Sequence, residues 1–576
     1  MGLLDLPNEL LIQILDTSRP NEFEDFALSC KHLHHLARDL IVEHNRLKKD
    51  FGYFRLICYS GSLFQSREAR RFAGHAVMLL AKLSDMPLAV QYIRRLDYGR
   101  CDELPEGRTI EEFMTDLERC ESGCFAMSES LRRVGVEVDD WCDAVSDKSV
   151  VSSSTHGTDG LSSREKERYF ETLGDRAFIV LLLHAVNLRQ LHIHHRTRMT
   201  FFSDRSYVNA IERLARSDVE ERNDQSAHLI QPASRPLGKL EVLGPWSSDT
   251  EFGTPVQSIA PFLLVPSLKK IIGFQYCAAG DRQAGLRDQW YWTYDWPYQC
   301  DSAVEEIELA QSAISPGNLR EFLKPMQSLR SFRHLHGGFG NGAGVDWDAA
   351  SFLAVIGECC GRTVQDLTLA TRSRCNFVKM DRSFTAFERL RTLEIDADLL
   401  LDVRSGSGPK DEARSGARNL FEHLPSSLEK LTLFTGSHLH TLTESFRTMD
   451  ALTLNKVPLL RVLEIIYGGA EPISTSESID SGQARPRMRS ATHFVISVSV
   501  DSERRATMSA SCACVEMATG EPIRMKRSKV PGKKASDCES VCFGVALAEV
   551  SSLLRLHSQK IRLVFHRGRA SHRSLH

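Results

Sequence analysis

The segment Leu390–Ile395, LRTLEI, carries the pattern that decides the fold of this 576-residue chain. Apolar residues stand at its first, fourth and sixth positions, and polar residues stand at the third and fifth. Such alternation is typical of a short strand that has one buried face. The phrase therefore predicts a strand that packs Leu393 and Ile395 inward and turns Glu394 outward.

The same phrase recurs along the chain. Close copies are LRQLHI from Leu188, VEEIEL from Val304, VQDLTL from Val364, LRTLEI from Leu390, LEKLTL from Leu428 and LRVLEI from Leu460, and looser copies start at Leu240, Leu268 and Leu329. From Leu240 onward the copies are 25 to 38 residues apart, and helical segments such as 319–326 precede several of them. A strand, a loop and a helix in each unit of this length form the plan of a leucine-rich-repeat solenoid with parallel strands, an α/β fold. Unrelated βα units in a doubly wound sheet are the alternative.

A second pattern lies near the amino end, in LPNELLIQIL (Leu6–Leu15) and NEFEDFALSCKHLHHLA (Asn21–Ala37). In both stretches the large apolar residues recur three or four positions apart, which predicts short amphipathic helices. About 40 residues bury too little apolar surface to be stable alone, so the rest of the chain or a second protein should cover part of it. A terminal helical hairpin packed on its own domain is the alternative.

These helices resemble the F-box, the adaptor-binding motif of substrate receptors in Skp–cullin–F-box ubiquitin ligases, in the form found in fungal F-box proteins with leucine-rich repeats. The resemblance implies that the matching positions either contact the Skp-type adaptor or form the small core of the motif. They are Leu6, Pro7, Leu10, Leu11, Ile14, Leu15, Phe23, Phe26, Leu28, Cys30, Leu33 and Leu36. The motif usually has a large apolar residue three positions after Leu15, where this chain has Ser18.

Composition and pattern divide the chain into five segments. We expect an F-box in 1–50, a helical linker merging into the first repeats in 51–150, a flexible Ser/Gly loop in 151–165, a leucine-rich-repeat-like domain in 166–470, and a basic, largely disordered tail in 471–576. Within the tail, His493–Val500 could form local structure. The tail also contains Arg524–Lys534, which matches a minimal nuclear-import signal. The alternative is a solvent-exposed basic stretch that no import receptor binds.

Several function classes are disfavoured by composition. The chain shows no secretory-signal pattern at its start, so its 15 cysteines are expected to be reduced thiols in a cytoplasmic or nuclear protein. The longest strongly apolar run, Ala177–Val186, is too short to span a bilayer, and we expect no membrane partner. A net charge of −3 argues against a chain-wide nucleic-acid surface.

Catalytic and metal-binding motifs are absent from the sequence, which contains no HExxH, GxSxG, GxxxxGK[ST] or EF-hand pattern. The four cysteines within 101–142 lack the paired spacing of a zinc site, so we expect buried thiols there. The histidines of 32–35 and 192–195 are expected to be solvated or hydrogen-bonded. We therefore expect no catalytic residue, no metal and no cofactor.

An aromatic segment, Gln289–Tyr298 (QWYWTYDWPY), interrupts the repeats. Because it also contains an aspartate and a proline, its aromatic side chains cannot all face one core, and some should reach the surface. Exposed tryptophans are typical anchors of protein interfaces, so the predicted target-binding residues are Trp290, Trp292 and Trp296. Packing of this loop over the repeat core is the alternative.

The resemblance implies a non-catalytic substrate receptor. Its F-box would bind the Skp-type adaptor, and through it a cullin scaffold, while its repeats would bind a target protein. Such a subunit contributes proximity, because it raises the effective concentration of target lysines beside a conjugating enzyme. The alternative is a leucine-rich-repeat scaffold or interaction protein that acts outside a ubiquitin ligase.

Overall fold

A computed structural model describes residues 2–56, 75–99, 109–122, 127–133, 163–195, 205–220, 235–247, 254–274, 276–278, 301–337, 347–371, 384–400, 424–435, 457–460, 462–467, 494–500 and 561–566. The chain divides into two compact units. Unit 1 comprises Met1–Phe274, Trp296–Val304 and Asp480–Ala484, and unit 2 comprises Gln275–Asp295, Glu305–Ile479 and Arg485–His576.

Unit 1 begins with short helices and continues with alternating helices and strands. Its α-helices are α1 (Asn8–Thr17), α2 (Phe23–Leu28), α3 (Lys31–Leu36), α4 (Arg38–Phe51), α5 (Ala76–Ser84), α6 (Ile110–Ser122), α7 (Met127–Arg133), α8 (Ser163–His184) and α9 (Arg205–Glu220). Three 3-10 segments cover Leu3–Asp5, Pro87–Tyr92 and Val256–Leu264. Across the described residues of both units, no helix has the length and apolar character required to cross a bilayer.

With the exception of the two-residue β5, the strands of unit 1 pair in the order in which they occur in the chain. They are β1 (Tyr53–Leu56), β2 (Arg95–Gly99), β3 (Gln190–His195), β4 (Val242–Ser247), β5 (Thr254–Pro255) and β6 (Lys270–Phe274). Pairing is parallel from β1 to β2, β3, β4 and β6 in turn. Consecutive strands therefore lie side by side, as in a solenoid.

Unit 2 repeats this plan. Its strands are β7 (Tyr276–Ala278), β8 (Glu306–Ile314), β9 (Ser331–His336), β10 (Asp366–Thr371), β11 (Thr392–Asp396), β12 (Lys430–Thr435), β13 (Val462–Tyr467), β14 (Phe494–Val500) and β15 (Ile561–His566). The strands from β7 to β13 pair in parallel in chain order, and β14 and β15 then add in antiparallel orientation. The helices are α10 (Pro316–Leu323), α11 (Ala349–Cys360) and α12 (Ala397–Leu400), with a 3-10 turn at Phe384–Ala386.

The repeat phrase determines which residues form the core. Its first position is 1% exposed or less in ten copies: Phe51, Ile93, Leu188, Leu240, Leu268, Val304, Leu329, Val364, Leu390 and Leu428. A doubly wound sheet would reverse its strand order at a switch point, and neither unit does so among the pairings given above. The predicted α/β fold with a parallel, repeat-based sheet is therefore confirmed.

Two copies of the phrase precede the first close copy. FGYFRL (Phe51–Leu56) forms β1, and IRRLDY (Ile93–Tyr98) leads into β2. Both strands lie in the segment 51–150, so the parallel sheet begins there. In the tail, β14 forms at the segment that the sequence marks for local structure, whereas Arg524–Lys534 lies outside the described residues.

Candidate functional site

The amino-terminal helices enclose a core of their own. α1 packs against α2 and α3, and α3 packs against α4. The residues that are 1% exposed or less in this core are Leu11, Leu15, Phe23, Ala27, Leu33 and Ala37. Residues 8–51 thus form a small helical layer whose interior is already filled, and we call it the amino-terminal helical layer.

Beyond this core, α1 has a second apolar side that remains exposed. Leu10 is 45% exposed and Ile14 is 36% exposed, and their spacing places them one turn apart on the same side of the helix. Leu28, at the end of α2, is 69% exposed. A helix that is apolar on two sides is normally buried on both sides. The exposed side of α1 is therefore a candidate docking surface.

The structure separates the twelve residues that match the F-box into three groups. Four of them are enclosed in the core, four are partly buried against it, and four are exposed. These groups are, in that order, Leu11, Leu15, Phe23 and Leu33; Leu6, Phe26, Cys30 and Leu36; and Pro7, Leu10, Ile14 and Leu28. Only the exposed and partly buried groups can touch a partner directly, and the enclosed group can act only by holding the shape of the layer.

Sequence reasoning missed three further exposed apolar residues in the amino-terminal segment: Leu3, Leu4 and Ile12. Their apolar residue types were the available signal. Ser18 ends α1, since its hydroxyl donates to the Leu15 carbonyl at 2.7 Å. At the position where the F-box pattern usually has a large apolar residue, this chain thus has a polar contact at the helix end.

Arg19 fastens the loop after α1 to α4. Its side chain is 5% exposed, and its guanidinium donates to Glu43 at 2.7 Å and also to Asp16. Burial lowers the pKa of Arg19, but the hydrogen bonds to Glu43 and Asp16 outweigh burial and raise the pKa above its ordinary value. Arg19 therefore stays charged, and it holds α4 in a fixed position against the end of α1.

A second polar contact joins the amino-terminal helical layer to the turn before β2. His44 Nδ1 lies 3.0 Å from the Tyr92 hydroxyl, and His44 Nε2 lies 3.1 Å from Glu24 Oε1. Burial lowers the pKa of His44 although Glu24 opposes this, and burial raises the pKa of Tyr92 to about 12. A neutral His44 and a neutral Tyr92 therefore meet the charged Glu24 carboxylate, whose pKa is lowered by its hydrogen bonds to Lys48 and His44, and this junction ties α2 and α4 to the repeat sheet.

The buried amide of Asn187 makes a third contact, in the turn between α8 and β3. Its Nδ2 donates to the Gln91 carbonyl at 2.8 Å. Its Oδ1 accepts from Asn21 Nδ2 at 2.9 Å and from Lys239 Nζ at 2.7 Å. One side chain thus links the loop before α2 to two successive repeats.

We expect Asn187→Ala to lower the free energy of unfolding of unit 1 by about 1 to 2 kcal/mol, because the Gln91 carbonyl and the Lys239 ammonium lose a partner. Hydrogen exchange of the amides in α2 should then be faster. Asn21→Ala removes only the exposed partner and serves as the control, with a smaller effect. Equal exchange of α2 in the wild type and in Asn187→Ala would show that this amide does not hold the layer in place.

The outer faces of the two sheets carry rows of polar residues from the fifth position of the phrase. In unit 2 the strand register aligns Glu308, Arg333, Thr368, Glu394, Thr432 and Glu464. Thr368 donates to Glu394 at 3.1 Å, and Thr432 donates to Glu464 at 3.1 Å. Neighbouring strands thus order one another's side chains and form a polar row with three glutamates and one arginine, in which Thr432 is buried.

In unit 1 the corresponding row contains Asp97, His192 and Gly244. The Asp97 carboxylate accepts from the Tyr53 hydroxyl at 2.6 Å and from Arg95 Nε at 3.2 Å, and it lies 3.8 Å from His192 Nδ1. A Cβ at position 244 would lie 3.1 Å from the His192 ring, so glycine allows the ring to rest on β4. His192 is therefore part of a polar cluster on the sheet.

The remaining candidate residues are the three tryptophans of the aromatic segment and the four cysteines of 101–142. Trp290, Trp292 and Trp296 lie outside the described residues, as do three of the four cysteines in 101–142. The remaining one, Cys120, is buried, and its thiol donates to the Val77 carbonyl at 3.3 Å. Within the described ranges, no group of three or more His, Cys, Asp or Glu residues is arranged to hold a metal ion.

Comparison with known proteins yields little. No protein-family model matches the sequence, and no curated protein is similar to it. Among solved structures, the chain has some similarity to the leucine-rich repeat-containing protein LegL7 from Legionella pneumophila, with 11% sequence identity over 74% of this chain and 95% of that chain and a TM-score of 0.27. A likeness at that TM-score supports no conclusion about function, and the repeat architecture is instead established by the strand registers.

Proposed function

We propose that this protein is the substrate-recognition subunit of a Skp–cullin–F-box E3 ubiquitin ligase. The amino-terminal helical layer binds the Skp-type adaptor, and through it the cullin, and the outer faces of the repeat sheets bind a target protein. The observation that carries this proposal is the exposed apolar side of α1, with Leu10 and Ile14, on a layer whose own core is already closed. An apolar side chain left in water in this way favours association with a second protein.

The polar junctions support the same proposal. His44 bonds to Tyr92 and Asn187 bonds to Asn21, so these two residues fix the amino-terminal helical layer within unit 1, while Arg19 holds α4 against the end of α1 inside the layer. A receptor acts by proximity, so an adaptor-binding surface that is fixed to the target-binding repeats limits the positions that a bound target can adopt. The receptor itself supplies no reacting group in this mechanism.

A leucine-rich-repeat scaffold that acts outside a ubiquitin ligase is the second candidate. The departure from the motif at Ser18 favours it, because a polar residue there ends α1 where the F-box usually has a large apolar side chain. The ordered polar rows on the sheets serve a scaffold equally well. Adaptor binding separates the two candidates.

The test measures the affinity of the full chain for a purified Skp-type adaptor. Leu10 is still 45% exposed and Ile14 36% exposed, so burying them at an interface should contribute roughly 1 kcal/mol each to binding. We expect the double variant Leu10→Ala, Ile14→Ala to bind roughly 30-fold more weakly than the wild type.

The matched control is Val42→Ala, which truncates an exposed aliphatic residue on α4 outside the matching positions. Its affinity for the adaptor should equal that of the wild type. If the wild-type chain does not bind the adaptor, the ligase role is rejected and the scaffold remains. If Val42→Ala weakens binding as much as the double variant does, the exposed side of α1 is not the docking surface.

A further inference from the structure

A buried histidine occupies a core position of the repeat in unit 2. His334 stands at the sixth position of the phrase that begins at Leu329, where the neighbouring copies have Leu309 and Leu369. Its side chain is 0% exposed. Neither of its ring nitrogens has a hydrogen-bond partner within the described part of the chain. A polar ring therefore fills a space that the fold builds for an aliphatic side chain.

Aromatic rings surround His334. The centroid of the Phe352 ring lies 4.6 Å from that of His334, and the centroid of Trp347 lies 5.5 Å away. Trp347 stacks on His336 at 4.7 Å with an angle of 2° between the rings, and its indole N–H also lacks a partner among the described residues. The cluster of His334, His336, Trp347 and Phe352, which we call the histidine–tryptophan cluster, joins β9 to α11.

Within the part of the chain that the structure describes, no acidic side chain pairs with the His334 ring to favour its protonated form. On the neighbouring strands, Leu309 and Leu369 are the register partners of His334. From the side of α11, the Asp348 carboxylate accepts from the Ser351 amide at 2.9 Å, and the Cys360 thiol donates to the Met326 carbonyl. Burial, with a smaller effect from His336, holds the pKa of His334 well below its ordinary value of 6.5.

We propose that the histidine–tryptophan cluster makes unit 2 sensitive to acid, such that protonation of His334 separates β9 from α11. This regulation goes beyond the proposed ligase role. Arg333, the neighbour of His334, lies in the polar row of the outer face, so an opening at β9 would also disrupt the target-binding surface. Mild acidification would then weaken target binding through unit 2.

The direction of the pH dependence follows from linkage. The unfolded chain binds a proton at His334 near pH 6.5, whereas the folded chain keeps the ring neutral. The free energy of unfolding of unit 2 is therefore unaffected by His334 above that pH and decreases as the pH falls below it. When the pH is lowered from 7.5 to 5.5, a single histidine that stays neutral in the folded state makes the folding equilibrium constant about tenfold smaller.

The experiment is hydrogen exchange of the full chain at both pH values, corrected for the intrinsic pH dependence of exchange. We expect protection of peptides 329–337 and 349–360 to fall about tenfold more in the wild type than in His334→Leu. The exposed His34, on α3 of unit 1, supplies the control variant His34→Gln, which should behave as the wild type. Equal acid sensitivity of the wild type and His334→Leu would overturn the proposal.

A second comparison needs no variant, in case His334→Leu does not fold. In the wild type, peptide 177–184 of α8 in unit 1 should lose less protection on acidification than peptide 329–337. If both peptides lose the same protection, the acid response is not specific to the cluster and the proposal fails. His334→Phe, which fills the space with an apolar ring, should remove the pH dependence as His334→Leu does.

Discussion

Replacing Leu393 by alanine should lower the free energy of unfolding of unit 2 by about 2 to 5 kcal/mol. Leu393 is completely buried on β11, and the strand register places it between Leu367 and Leu431, which are also buried. Truncation leaves a cavity in the middle of a continuous row of leucines, and the neighbours cannot fill it without shifting two strands. Hydrogen exchange of β10 and β12 at increasing urea concentration measures the loss.

Leu459→Ala is the matched control, because it makes the same chemical change at a leucine that is 46% exposed in the same unit. We expect it to change the free energy of unfolding by less than about 1 kcal/mol. If the two variants lose the same stability, burial at the fourth position of the phrase does not determine the stability of the repeats.

The core could be predicted because the phrase is local. Its first, fourth and sixth residues are buried in the copies from Leu188, Val304, Val364, Leu390 and Leu428, whatever the length of the loop that follows. A strand at Leu390–Ile395 could therefore be predicted from six residues. β1 was not predicted because phenylalanines stand at the first and fourth positions of Phe51–Leu56, where most copies have leucine. A pattern that accepts any large apolar residue at these positions would have found it.

The chemistry of the core could not be predicted from the phrase. The copy from Leu329 differs from the pattern at His334, which made it look like a weak repeat. The structure instead keeps the backbone geometry and buries the histidine among Trp347 and Phe352. Backbone hydrogen bonds to the neighbouring strands hold β9 in place, so one polar side chain in the core does not change the fold.

The candidate site was predictable as a set of residues but not as a surface. Leu10 and Leu11 are adjacent in sequence and equally apolar, yet Leu10 is 45% exposed and Leu11 is completely buried. Helical spacing gives two apolar stripes on α1, from Leu10 to Ile14 and from Leu11 to Leu15, and it does not say which stripe faces α2 and α3. Packing makes that choice, and the stripe left outside is the one that the proposed function assigns to the adaptor.

We expect Gly361→Ala to destabilise unit 2 by about 3 kcal/mol, at the upper end of the range for overpacking. Gly361 follows α11, and a Cβ on it would overlap the backbone carbonyl oxygen of Ala386. Its own carbonyl accepts from the Glu388 amide at 3.1 Å, so moving the Phe384–Ala386 turn away also breaks that hydrogen bond. Alanine is favoured over glycine by only about 0.5 to 1 kcal/mol in a helix, which does not offset the clash. Thermal unfolding and hydrogen exchange of residues 349–360 measure the result.

The control for this change is Gly317→Ala, at the second residue of α10, where an added Cβ meets no atom within 4 Å. There the helical preference of alanine acts alone, and stability should stay the same or rise by up to about 1 kcal/mol. The two variants add the same methyl group, so the difference between them isolates the contact between the end of α11 and the next repeat. A Gly361→Ala protein as stable as Gly317→Ala would mean that this turn can move without cost, and that successive repeats of unit 2 are not held together at this contact.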